Sequence, residues 1–143
     1  MDTSDIIIAC EKMITLRRAR MRKVLMRQGL HLGQPEMLLY VKLHPGCSQR
    51  QMADDAGVTP ASIAASFKRM ENAGLSRRRQ DTADTPCNRV YITDKGINEL
   101  EASLRAMDLL NDHMLDGIEP EDLAAFCRCM AQINRNLSPE HEK

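Results

Sequence analysis

The sequence predicts a mainly α-helical fold with one small β-hairpin, on three observations. Helix-start signals recur at Ser48–Gln51, Thr59-Pro60, Thr93 and Pro120, and glycines 57, 74 and 117 close helices. Between these signals, apolar residues repeat at three- and four-residue steps, the period of a helix with one buried face. One stretch breaks that period: Leu75–Arg79 and Arg89–Ile92 read as two strands around a turn-rich link containing Pro86.

The elements follow in order. From about Ser4 to Gln28, the residues Ile7, Cys10, Ile14, Met21 and Val24 form an interrupted apolar stripe on a long first helix. Pro35 opens a second helix through Leu38, Leu39 and Leu43, which ends before Pro45-Gly46. Ser48 and Gln51 fit a capping box for a third helix running to about Ala56, where Gly57 supplies a left-handed turn residue. Thr59 caps a fourth, with Pro60 at the first helical position, where its missing N–H costs nothing. On this helix Ile63, Phe67 and Met70 share a face predicted to bury, and Ser62, Ala65, Ser66 and Arg69 share the opposite one. Gly74 closes it, and the hairpin follows. Thr93 caps a fifth helix through Leu100, Leu104, Met107 and Met114, and Gly117 breaks it. Pro120 starts the last, whose Leu123, Phe126, Met130, Ile133 and Leu137 form a seam for another helix.

Helix, tight turn, helix and basic hairpin make a winged helix-turn-helix. A helix lying in the major groove needs small side chains for close approach, with hydroxyls and guanidinium groups to reach bases and phosphates. The predicted contacts with duplex DNA are Ser48 and Gln49, then Thr59, Ala61, Ser62, Ala65, Ser66, Lys68 and Arg69, and on the hairpin Arg77, Arg78, Arg79 and Arg89. Residues 30–96 form this reading head, and 1–29 and 97–143 form dimerisation helices, all within one subunit of 143 residues. A two-fold homodimer reads two half-sites about 34–36 Å apart, and apolar seams at both ends of the chain suit one.

The chain resembles the MarR family of transcriptional regulators. The resemblance is carried by Ala53–Gly57, Val58-Thr59-Pro60, the run Arg69-Met70-Glu71-Asn72-Ala73-Gly74-Leu75, and Asn88-Arg89-Val90-Tyr91-Ile92-Thr93-Asp94-Lys95-Gly96. It implies a DNA-binding regulator, most often a repressor, dimerised through interlocked terminal helices and responsive to a small molecule. It also implies a ligand pocket between the dimer helices and the reading head, for which Met13, Met37, Leu38 and Met107 are candidates. Ten methionines suit an adaptable pocket for a small apolar effector. Two features depart from the family pattern, one in the wing and one on the fourth helix. In the wing, Asp81 and Asp84 are kept, but Ala83 and Pro86 stand where the family has arginines that reach the minor groove; Ala65 also stands where arginine is frequent.

Composition agrees with a compact regulator. The net charge is zero, yet residues 1–92 hold 15 Lys or Arg against 9 Asp or Glu, and residues 93–143 hold 5 against 11. Much of the excess, Arg17, Arg18, Arg20, Arg22, Lys23 and Arg27, scatters around the first helix, with Glu101 and Asp108 as predicted partners. No apolar run of about 18 residues and no signal-peptide pattern occurs, so the expectation is a cytoplasmic protein with no membrane partner. Five cysteines read as thiols, with Cys10 and Cys127 expected to be buried. Cys47 precedes a helix start, and Cys87 lies near the hairpin arginines, whose positive charge would favour the thiolate. In a second reading, an oxidant-sensing regulator, Cys87 is a redox candidate for that reason, and Cys10 is one because the resemblance implies a sensing cysteine near the N-terminus. A third reading, which the altered wing favours, is a winged-helix module that binds protein. The histidines at 31, 44, 113 and 141 have no metal-ligand spacing, and neither a cofactor nor an enzymatic motif is expected.

Overall fold

The computed structural model describes residues 2–81 and 87–138, and at Asp81 and Cys87 the backbone only. The readings made above for Ala83, Asp84, Pro86 and His141 lie outside the described residues. The elements run α1 (Thr3–Arg27), α2 (Gln34–Leu43), β1 (Cys47–Ser48), α3 (Gln49–Ala56), α4 (Pro60–Asn72), β2 (Ser76–Asp81), β3 (Cys87–Ile92), α5 (Asp94–Leu115) and α6 (Pro120–Leu137). The chain divides into two compact units, Met1–Leu110 and Asn111–Lys143, the division falling inside α5.

Local chemistry accounts for the ends of the helices. At α3 the capping box closes in both directions: Gln51 N–H donates to Ser48 Oγ at 3.0 Å, and Ser48 N–H donates to Gln51 Oε1 at 2.8 Å. At α4, Ser62 N–H donates to Thr59 Oγ1 at 3.3 Å and Pro60 occupies the first turn. The end of α4 is a Schellman turn. Leu75 N–H reaches back to Met70 O at 2.8 Å and Gly74 N–H to Glu71 O at 2.9 Å, with Gly74 at φ 73°.

The motif Thr93-Asp94-Lys95-Gly96 proves to be a fastening as well as a cap. Thr93 Oγ1 accepts from Gly96 N–H at 3.0 Å and donates to Gly74 O at 2.6 Å, while Lys95 Nζ donates to Ala73 O at 2.8 Å. The start of α5 thus satisfies carbonyls left open at the end of α4. Gly96 allows the approach: a Cβ there would lie 2.0 Å from Leu75 O.

The core of the first unit joins α1, α2, α3, α4, the sheet and α5. Ile63 (5% exposed), Phe67 (1%) and Met70 (0%) bury the predicted face of α4. They pack in one cluster with Met21, Leu25, Leu38, Val41, Met52, Leu75, Val90 and Leu100. Each such side chain contributes roughly 1.5–3 kcal/mol by leaving water. On α1 the expected stripe holds only at its C-terminal end, where Met21 and the unanticipated Leu25 are buried; Ile7 and Ile14 are exposed.

The sheet has three strands in the order β1-β3-β2, with β3 antiparallel to both neighbours. The hairpin strands are longer at the turn than expected, and Leu75 belongs to the α4 cap instead of β2. The third strand was not expected, because two residues carry no periodic signal; Cys47 and Ser48 pair with Val90 and Arg89 only once the chain has turned back. In the second unit α6 has no buried residue, and Phe126, Ile133 and Leu137 are exposed.

Candidate nucleic-acid interface

The exposed face of α4 is fixed by its buried one. With Ile63, Phe67 and Met70 held in the core, the helix must turn Ala61, Ser62, Ala65, Lys68 and Arg69 to solvent, and Ser66 is half-buried beside them. Arg69 Nη2 donates to Ser66 Oγ at 3.0 Å, so the guanidinium already lies along the helix surface. Gln49, Arg50, Asp54, Pro60, Ala61 and Ala64 line an open cleft of about 680 Å³ where α3 and α4 begin. Arg50 was missed in the sequence; its place one residue after Gln49 in the first turn of α3 was the available signal. The Gln49 Nε2 is buried without a hydrogen-bond partner, and so is a donor in want of an acceptor.

The arginines of the hairpin differ in their surroundings. Arg77 lies over the Tyr91 ring, 5.3 Å from its centroid, which orients the side chain without neutralising it. Arg78 is engaged by Glu71 of α4: Nε lies 3.0 and 2.9 Å from the two carboxylate oxygens, and Nη2 lies 2.6 Å from Oε2. That bond holds the Glu71 carboxyl below its usual range and raises Arg78 further. Arg79 is exposed and stands opposite Arg89 in the β2–β3 register. Arg89 is half-buried and donates to Gly46 O at 3.2 Å.

A second open cleft, of about 480 Å³, is lined by Tyr40, His44, Cys47, Gln51, Asp55 and Arg89, among others. In it Tyr40 Oη donates to Asp55 Oδ2 at 2.5 Å, which pushes the Tyr40 hydroxyl up to about 12. The Tyr40 and His44 rings stand 4.5 Å apart.

The other expected sites come out differently. Leu38 is a fully buried core residue, Met37 and Met107 pack against the core partly buried, and Met13 is half-buried on α1. Cys10 is half-buried, but Cys127 is exposed, contrary to expectation, because none of the described residues covers that face of α6. Cys47 is buried, and desolvation raises its thiol, so the chemistry there opposes an easily formed thiolate. The side chain of Cys87 lies outside the described residues. Glu101 pairs with Lys42 of α2 at 3.4 Å, not with an arginine of α1 as expected, because α2 brings a cation within reach. Among the described residues, no group of three or more His, Cys, Asp or Glu could hold a metal ion, and no helix is long and apolar enough to cross a membrane.

No protein-family model matches the chain. It is 30% identical over 89 residues to the transcriptional regulator HosA of Escherichia coli O127:H6; the match spans 62% of this chain and 66% of HosA, just under two thirds of the relative's length. Among solved structures, a MarR family transcription regulator, SP03579, superposes with a TM-score of 0.79 at 19% identity, over 92% of this chain and 87% of that one. The transcriptional repressor CouR, bound to a 23-mer DNA duplex, gives 0.73 at 20% identity over 88% and 89%. The fold of this chain is therefore that of the MarR-family transcriptional regulators.

Proposed function

We propose that the chain is a sequence-specific, duplex-DNA-binding transcriptional regulator that acts in the cytoplasm as a homodimer, most simply as a repressor released by a small apolar effector. The observation that carries this reading is α4 itself. One face is locked in the core by Ile63, Phe67 and Met70, and the other presents Ser62, Ala65 and Arg69 to solvent, followed at once by the exposed Arg77 and Arg79. That is the surface a major-groove helix with an adjoining backbone-tracking wing requires. CouR, of the same fold, is a repressor seen on a DNA duplex. The exposed stripes on α1 and α6 support terminal dimerisation helices in 1–29 and 97–143. Met13, Met37 and Met107 remain the side chains proposed to meet an effector; binding one arrangement of the dimer better than another would shift DNA affinity by the same factor.

A mobility-shift titration with DNA from upstream of the chain's own gene tests the reading. Wild type should give a discrete, salt-sensitive complex. Arg69→Ala should weaken it by about 1–3 kcal/mol if the guanidinium reaches a base edge. Unchanged binding by both Arg69→Ala and Ser62→Ala would remove the helix face from the interface. A folded wild type that binds no duplex would leave the protein-binding module in its place.

A further inference from the structure

The register of the sheet sorts the arginines of the wing. Directly opposed residues of an antiparallel pair project from the same face, and successive residues of one strand alternate. Arg77 stands opposite Tyr91, Arg79 opposite Arg89, and Arg89 opposite Ser48 on its other side. These residues share one face, where Ser48, Arg89 and Arg79 form a row across all three strands. Arg78 stands opposite Val90, which is fully buried, and so belongs to the face that carries the core.

From that face Arg78 reaches the end of α4 and grips Glu71 through two nitrogens, a fork that fixes direction as well as distance. Glu71 lies in the last turn of α4, where the helix dipole disfavours a carboxylate, so the guanidinium offsets a local conflict. The side chains remain 34% and 29% exposed, which makes the pair a weak source of stability but a directional link between helix and wing. On the other face, Arg79 and Arg89 are like charges set opposite one another. Two guanidinium groups side by side on that face favour an anion lying along it.

We propose that Arg78 is a positioning residue and not a DNA contact: held by Glu71, it sets the pose of the wing against α4, while Arg77, Arg79 and Arg89 on the opposite face carry the phosphate contacts of the wing. This deepens the DNA-binding reading above and rests on it.

The test is fluorescence anisotropy of the full-length chain across a series of KCl concentrations, on duplexes from its own upstream region and of random sequence. Arg79→Ala lowers the slope of log affinity against log salt by roughly 0.9 for each phosphate contact removed. Arg78→Ala weakens binding several-fold and keeps the wild-type slope. Arg78→Lys, which retains the charge without the planar fork, behaves like Arg78→Ala. The charge-swapped double variant, Glu71→Arg with Arg78→Glu, recovers affinity that Arg78→Glu alone loses. An Arg78→Ala slope lowered as far as that of Arg79→Ala overturns the assignment and leaves the DNA-binding reading intact, as does full binding by Arg78→Lys or failure of the swap to recover. Wild type that binds neither duplex overturns both.

Discussion

Helices α4 and α6 are two amphipathic helices of one chain with opposite fates. In α4 the apolar face is spent inside: Ile63, Phe67 and Met70 are at most 5% exposed. In α6 a stripe of equal quality stays in solvent, with Phe126 at 50%, Ile133 at 38% and Leu137 at 77%. The period of the pattern is the same, so the pattern says only that a face wants cover. The loops and partners around it decide whether the cover comes from the same chain. For α4 it comes from α3, the sheet and α5, which leaves the opposite face in solvent. For α6 it is absent from the described residues, which supports the proposal that a second copy supplies it. Isolated exposed apolar residues are ordinary, but a continuous stripe on one helix is not.

The largest expected effect tests the α4 side. Phe67→Ala opens a cavity beneath α4 and should cost about 3–5 kcal/mol in chemical denaturation. A loss below 1 kcal/mol would mean that the core is not closed there.

Next comes the fastening between α4 and α5. Gly96→Ala sets a methyl group 2.0 Å from a backbone carbonyl, which no rotamer change can relieve. Backbone shifts of the overpacking kind should cost about 1–3 kcal/mol, read as a lower melting temperature. A melting temperature equal to that of wild type would show that α5 can stand off from Leu75.

The contrast with α6 is sharpened by Phe126→Ala. At a half-exposed site the fold of the separate subunit should change by less than about 0.5 kcal/mol. If a second copy covers the stripe, Phe126→Ala should instead weaken association, seen as a shift toward monomer in sedimentation at a fixed concentration. A dimer of wild-type strength would move the subunit contact away from this seam.

The smallest effect is local to the cleft between α2 and α3. Tyr40 donates to the Asp55 carboxylate, and that bond raises its hydroxyl to about 12. The folded value exceeds the unfolded value of 10.0, so the contribution of this bond is complete below that pH and is lost as pH rises through about 12. Tyrosinate absorbance should therefore include a late step from Tyr40, which Asp55→Asn brings down toward the ordinary range. A late step that persists in Asp55→Asn would assign the shift to another cause.

Much of this architecture was legible in the sequence by itself. The capping box of α3, the left-handed glycines, the buried triad of α4 and its solvent face all follow from spacing and side-chain chemistry within a few residues, because a helix brings i, i+3 and i+4 together whatever the rest of the chain does. What only the tertiary structure decided were the relations between distant residues. Arg77, Arg78 and Arg79 look alike in sequence, and strand register puts the middle one on the other face, against Glu71. Cys47 and Ser48 form a strand only because β3 returns beside them. Glu101 found Lys42 because α2 lies close to α5, and Thr93 and Gly96 proved to hold two helices together. Local rules fix which face of an element is apolar, but pairing across long loops depends on closing those loops, and its free energy is shared among contacts that no short window of sequence contains.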